Sequence, residues 1–209
     1  MSSPVRSSPL ALTVLALLHH KPLHPYGIQR LIKQWGKDQV VNVGQRAGLY
    51  RTIERLRAAG LIAVGHTERD QQYPERTVYE ITDLGRAVTR RWLEHMLAVP
   101  KQEYPEFPAA LSYVLMLTPS EAQEILQQRL DHLERTIAAL DTTLATETER
   151  GLPRVSTLEL EYLRTVTEAE EQWLRSVVQD LAGGRLTWPA EMPAAFDSEA
   201  GPSSRPSRR

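Results

Sequence analysis

Leu10, Val14, Leu17 and Leu18 recur at three- and four-residue spacing, the mark of a helix with one buried side. The pattern stops at Lys21-Pro22-Leu23-His24-Pro25, where two prolines forbid continuation. A second helix is predicted from Pro25 or Tyr26 to Gly36, with Ile28, Leu31, Ile32 and Trp35 inward and Gln29, Arg30 and Lys33 outward. A connector follows, in which Asn42 is a candidate cap. A third helix is predicted from Gly44 or Gln45 to Ala59, stopped by Gly60. Its core positions are Leu49, Ile53 and Leu56; Gln45, Arg46, Tyr50, Arg51, Arg55 and Arg57 are the polar and basic complement.

Leu61-Ile62-Ala63-Val64 and Thr77-Val78-Tyr79-Glu80-Ile81 read as two strands either side of a polar stretch. In the second strand Val78 and Glu80 share one face, and Thr77, Tyr79 and Ile81 the other. Thr82 or Asp83 caps a fourth helix that runs through Leu84, Val88, Arg91, Trp92 and Met96.

The second half opens on a connector broken by Pro100, Pro105 and Pro108, then a short helix from Ala109 to Leu115. Thr118-Pro119-Ser120-Glu121 holds a threonine cap, a proline at the first helical position and the glutamate of a capping box. Along the long helix that follows, Leu126, Leu130, Leu133, Ile137, Leu140 and Leu144 alternate in steps of four and three, a heptad seam. Gly151 and Pro153 end it, and Ser156 with Glu159 is expected to cap a last helix. The stripe predicted there is Tyr162, Val166, Ala169, Trp173, Val177 and Leu181, closed by Gly183-Gly184. The two seams form an antiparallel hairpin able to close on itself or on a second chain. From Arg185 on, a Pro-, Ser-, Ala- and Gly-rich stretch without periodicity is expected to be disordered.

The fold class expected is mainly α: an amino-terminal winged helix-turn-helix, three helices and a two-stranded wing, followed by a carboxy-terminal helical dimerisation domain. The divisions expected are 1–98, a connector at 99–108, the helical domain at 109–184 and the tail at 185–209.

Charge sharpens this division. The 209-residue chain has a net charge of only −1. Residues 1–98, however, hold 14 Lys/Arg against 8 Asp/Glu, a balance of +6, and the remainder hold 11 against 18, a balance of −7. Such asymmetry suits a polyanion reader joined to an acidic partner domain. The absence of cysteine excludes disulfides, thiolate metal sites and a cysteine nucleophile. The first apolar run is too short for a membrane span and lacks the small-residue cleavage site of a signal peptide. A cytoplasmic protein with no membrane association is expected. No glycine-rich phosphate loop, Gly-x-Ser-x-Gly or His-Glu-x-x-His occurs, so no enzyme is expected and no cofactor is implied. His20 and His24 stand four apart, but Pro22 breaks the register that would bring their rings to a metal.

Three helices and a hairpin in this order make a winged helix, whose third helix enters the major groove of duplex DNA. Arginine pairs with guanine or phosphate in bidentate fashion and glutamine with adenine, so Gln45, Arg46, Tyr50 and Arg51 are the candidate readers. Tyr26, Lys33 and Arg55 are candidate phosphate contacts, and Arg69 and Arg76 serve the wing. For Arg55, local pairing with Glu54 or Asp83 is the alternative.

Several segments carry a resemblance. Pro22-Leu23-His24-Pro25-Tyr26-Gly27, Gly48-Leu49-Tyr50-Arg51-Thr52-Ile53-Glu54-Arg55-Leu56, Ala59-Gly60-Leu61-Ile62 and Arg76-Thr77-Val78-Tyr79-Glu80-Ile81-Thr82-Asp83-Leu84-Gly85 resemble the PadR family of bacterial transcriptional regulators. Phe107-Pro108-Ala109-Ala110-Leu111, Arg129-Leu130 and Glu171-Gln172-Trp173-Leu174 resemble the virulence-activator-like domain of its longer members. The resemblance implies a homodimer joined through the second-half helices, with Leu126, Leu130, Leu133, Ile137, Leu140, Leu144, Tyr162, Val166 and Trp173 as candidate dimerisation residues. It also implies a small planar aromatic effector, for which Trp92 is the candidate contact. The expectation is a dimeric repressor on a palindromic promoter operator. The rival is a helical adaptor whose winged helix binds protein.

Overall fold

The computed structural model describes residues 6–43, 46–70 and 73–189, with backbone only at Arg46 and along 66–70 and 73–76. The chain divides into two compact units, Met1–Glu103 and Tyr104–Arg209.

The first unit opens with α1 (Pro9–His20), capped by the Ser8 hydroxyl, which accepts from the Ala11 N–H at 3.2 Å. α2 (Pro25–Gln34) follows a cap of less usual kind: His24 Nδ1 accepts from the Gly27 N–H at 2.9 Å, which fixes that nitrogen as unprotonated. α2 ends two residues short of the predicted Gly36, and Trp35 is 48% exposed rather than inward. The stripe of Ile28 and Ile32 is already complete one turn earlier, and Gly36 then turns the chain at φ +63° into a 3-10 turn at Lys37–Gln39.

α3 is described over Arg46–Ala58, and its predicted start at Gly44 or Gln45 lies outside the described residues. Leu49, Ile53 and Leu56 are buried as predicted, and Thr52 joins them. Gly60, at φ +70°, lets the chain reverse: its N–H reaches the Arg57 carbonyl at 2.9 Å, and the Leu61 N–H reaches Leu56 at 3.0 Å.

The wing is longer than the two predicted strands. β1 (Ile62–Asp70) and β2 (Tyr73–Ile81) pair antiparallel with Ile62 opposite Ile81 and Val64 opposite Tyr79; the register shifts between Val64 and Thr67. The polar residues between Gly65 and Arg76 give the sequence no apolar alternation to announce the outer strands, whose backbone register continues to Tyr73 opposite Asp70. Val78 is buried like Tyr79 and Ile81, so the base of the strand is covered on both faces. Leu23 adds a one-residue bridge to Tyr79.

α4 (Asp83–Ala98) is capped by Thr82, whose hydroxyl accepts from the Gly85 N–H at 3.0 Å and donates to the Gly60 carbonyl at 2.7 Å. The core of this unit joins Val14, Leu15 and Leu18 of α1, Ile28 and Ile32 of α2, Leu49, Ile53 and Leu56 of α3, and Ile62 and Ile81 of the sheet.

In the second unit α5 (Glu106–Leu111) starts inside the predicted connector, because Pro108 falls in its first turn, where proline is tolerated. A 3-10 turn at Val114–Met116 follows. α6 (Pro119–Glu149) has the predicted capping box: Thr118 Oγ1 accepts from the Glu121 N–H at 3.3 Å, and the Glu121 carboxylate accepts from the Thr118 N–H at 2.8 Å. The Thr118 hydroxyl also donates to that carboxylate at 2.8 Å, and the two bonds the carboxylate accepts hold it below its ordinary range, the backbone one foremost. α7 (Leu158–Ala182) is capped at Thr157, without a side-chain bond; Ser156 sits in a preceding 3-10 turn.

α6 and α7 pack as an antiparallel hairpin around Leu126, Leu130, Leu133, Leu174, Val178 and Leu181. Charged clasps line it: Arg129 with Glu170, Arg175 with Glu134, and Arg164 with Asp141. The chain is held beyond the predicted tail start at Arg185, since Trp188 Nε1 donates to the Leu117 carbonyl at 2.8 Å. The rest of the predicted tail, 190–209, lies outside the described residues. No helix among the described residues is long and apolar enough to cross a membrane.

Candidate nucleic-acid interface

The buried Leu49, Thr52, Ile53 and Leu56 orient α3, leaving the opposite side to Ala47, Tyr50, Arg51, Glu54 and Arg57, all exposed. The buried Thr52 is satisfied twice: its hydroxyl donates to the Gly48 carbonyl at 2.9 Å and accepts from Arg55 Nη2 at 3.1 Å. Arg55 is therefore tied to Thr52, not to Glu54 or Asp83 as the alternative had it. Arg51 Nε donates to the Ala47 carbonyl at 3.2 Å, which lays the guanidinium along the exposed side of the helix. Tyr50 is 52% exposed. Gln45 lies outside the described residues, as do the side chains of Arg46, Arg69 and Arg76.

Tyr26, also exposed, is the second residue of α2 and stacks on His24 with ring centroids 6.1 Å apart and planes 6° from parallel. Lys33 is exposed near the end of the same helix. Trp92 is half-buried against the core of this unit.

One connection escaped the sequence reading. The Tyr79 hydroxyl donates to Glu54 Oε1 at 3.5 Å, and Glu54 Oε2 accepts from Arg57 Nε and Nη2 at 3.1 and 2.9 Å. Burial pushes the Tyr79 hydroxyl above its ordinary pKa, and the Glu54 charge adds to the effect. The wing base is thus joined to the exposed side of α3. The strand alternation groups Tyr79 with Thr77 and Ile81 on one face; its reach to a helix 25 residues earlier is not legible there.

Residues 14–91 match the Transcriptional regulator PadR-like family. They form a PadR-like domain. Members of that family are transcriptional regulators and not enzymes. No curated protein matches the chain. Among solved structures, the chain is similar to Bacillus subtilis PadR in complex with operator DNA, at a TM-score of 0.69 and 20% identity over 82% of this chain and 98% of that one. It is similar to the same protein in complex with p-coumaric acid, at 0.66 and 18% over 84% and 99%. The Vibrio cholerae virulence activator AphA gives 0.62 and 19%, over 84% and 99%. At these identities the likeness establishes the fold, a winged helix carried on a mainly helical chain. The PadR-like domain accounts for the first unit, and α3 is its third helix.

The residues expected to pair two chains divide into two sets. Leu126, Leu130, Leu133 and Leu140 are buried within the hairpin, with Ile137 and Leu144 half-buried. Tyr162, Val166 and Trp173 are 67%, 47% and 47% exposed. The stripe that α7 buries is Leu160, Glu171, Leu174, Val178 and Leu181, of which Leu181 alone stood in the predicted stripe. Sequence reading missed it because Glu171 interrupts the apolar pattern. That carboxylate is buried only because Arg175 bonds it, Nε at 3.0 Å, while also reaching Glu134 on α6.

Proposed function

We propose that the protein is a homodimeric transcriptional repressor that occludes a promoter by placing α3 in the major groove of a palindromic operator. The observation that carries this reading is the sidedness of α3: a closed apolar face opposite exposed Tyr50 and Arg51, inside a PadR-like domain. Gln45, Arg46, Tyr50 and Arg51 read base edges; Tyr26, Lys33 and Arg55 meet phosphates; Arg69 and Arg76 steady the wing on the backbone. The operator complex of the Bacillus subtilis relative supports the placement.

Two half-sites about 34 Å apart require two chains. The outer stripe of α7, Leu158, Tyr162, Val166 and Trp173, supplies an apolar face for a second copy, while the α6 leucines stiffen the hairpin behind it. A small planar aromatic effector, with Trp92 as candidate contact, completes the reading; the p-coumaric acid complex of the same relative supports it. Such an effector releases DNA if it favours a dimer whose α3 helices no longer match the half-site spacing.

The test is selection of bound duplexes from a random pool, with the full chain and with Arg46→Ala/Arg51→Ala. A palindromic motif that the double variant loses is expected. No motif at moderate salt, or one unchanged by the substitutions, overturns the reading and favours a protein-binding adaptor.

A further inference from the structure

The second unit contains a half-open cavity of about 220 Å³ between α5, the 3-10 turn after it and the first turns of α6. Its wall is apolar almost throughout, with Phe107, Leu111, Val114, Leu117, Ile125 and Leu126 contributing. Arg129 is the one charged group on it, and that charge is already answered: Glu170 Oε1 lies 2.7 Å from Nε and 2.5 Å from Nη2. The guanidinium also covers one ring, its carbon 3.6 Å from the Phe107 centroid. Trp173 meets Phe107 edge to face, at 6.2 Å and 74°. The floor is pinned where Trp188 bonds the Leu117 carbonyl.

We propose that this cavity is a binding site for an uncharged aromatic molecule of about two fused rings. Size supports this, since an apolar cavity of about 150 Å³ takes benzene. Wall chemistry supports it too: a flat ring gains edge or offset contacts with Phe107 and Tyr113. Charge sets the class. An incoming carboxylate competes with Glu170 for Arg129 and brings a second anion beside it, whereas a neutral ring removes only apolar surface from water. The site lies wholly within the second unit and makes no use of Trp92. As a regulatory site it rests on the regulator reading above; as a binding site it does not.

The test is fluorescence anisotropy of 2-naphthol titrated with the full chain, with 2-naphthoate as the charged comparison. Saturable binding of one 2-naphthol per chain is expected, at least ten-fold tighter than 2-naphthoate. Ala110→Trp and, separately, Ile125→Trp fill the cavity from exposed positions, and each should weaken binding at least ten-fold with unchanged circular dichroism. No saturable binding up to the solubility limit, equal binding of the two probes, or binding untouched by both substitutions overturns the proposal. Operator binding measured on the same preparations separates the two readings. Loss of the DNA complex with 2-naphthol binding intact counts against the regulator, and the converse counts against the pocket.

Discussion

Gly85 approaches the backbone of Leu61 so closely that a β-carbon on it would lie 2.0 Å from the Leu61 carbonyl oxygen and 2.8 Å from Ile81 Cγ1. The start of α4 is thereby seated on the junction of α3 and β1, where Thr82 also bonds the Gly60 carbonyl. Gly85→Ala must push helix and strand apart, and a destabilisation of about 3 kcal/mol is expected. Gly48→Ala is the control: it lies inside α3 with nothing within 4 Å of its would-be β-carbon. It should stabilise the free protein by about 0.5–1 kcal/mol. Urea unfolding of the two variants beside the parent checks both signs.

Tyr79 is the second junction. Its backbone exchanges both hydrogen bonds with Leu23, at 3.0 and 2.9 Å, and its hydroxyl reaches Glu54. Tyr79→Phe keeps the bridge and the ring and leaves an exposed carboxylate behind, so the loss near neutral pH should stay at or below about 1 kcal/mol. The alkaline side is more telling. Burial, helped by Glu54, makes the folded protein hold this proton more tightly than the unfolded chain, whose ordinary value is 10.0. The associated stability is therefore complete below pH 10 and is lost as pH rises through the raised folded value. Stability of the parent should fall more steeply above about pH 10 than that of Tyr79→Phe. Parallel curves would show that Tyr79 is not the group responsible.

Where burial follows period, the sequence reading and the fold agree: Leu49, Ile53 and Leu56 on α3, and the leucines of α6, face inward as their spacing requires. Where polar residues carry structure, they part. The outer wing is held by backbone pairing that no apolar pattern announces. On α7 a buried Glu171, made tolerable by Arg175, hid the inner stripe and made the continuous outer one look like the seam. Trp35 shows the reverse error, an apolar residue in helical register that falls just past the helix end. Side-chain chemistry and helical register point to the α3 readers, and the exposure of Tyr50 and Arg51 suits that role. The link from Tyr79 to Glu54 needed the fold.

Neighbouring positions on α7 should separate folding from assembly. Leu174 is fully buried, and Leu174→Ala should destabilise the second unit by about 2–5 kcal/mol. Tyr162 and Val166 lie on the outer stripe, so Tyr162→Glu and Val166→Glu should change chain stability by no more than about 0.5 kcal/mol. If that stripe pairs two copies, each must weaken self-association about a hundred-fold or more, because a carboxylate would be buried without a partner. Sedimentation equilibrium decides: a dimer that survives both substitutions puts the interface elsewhere.

Lys33 and Arg51 should fail differently on DNA. A lysine that neutralises one phosphate releases about one counterion, so Lys33→Ala should flatten the slope of log affinity against log salt by about 1 and weaken all duplexes alike. An arginine on a base edge carries sequence information, so Arg51→Ala should cost about 1–3 kcal/mol on the preferred duplex and relax the choice at one position. The geometry suits the assignment: Lys33 stands exposed near the end of α2, whereas Arg51 is laid along the outer side of α3 by its bond to Ala47. Binding of the selected duplex and single-base variants at several salt concentrations tests both. If Arg51→Ala flattens the salt slope and leaves base preference unchanged, Arg51 belongs with the phosphate contacts, and reading falls to Gln45, Arg46 and Tyr50.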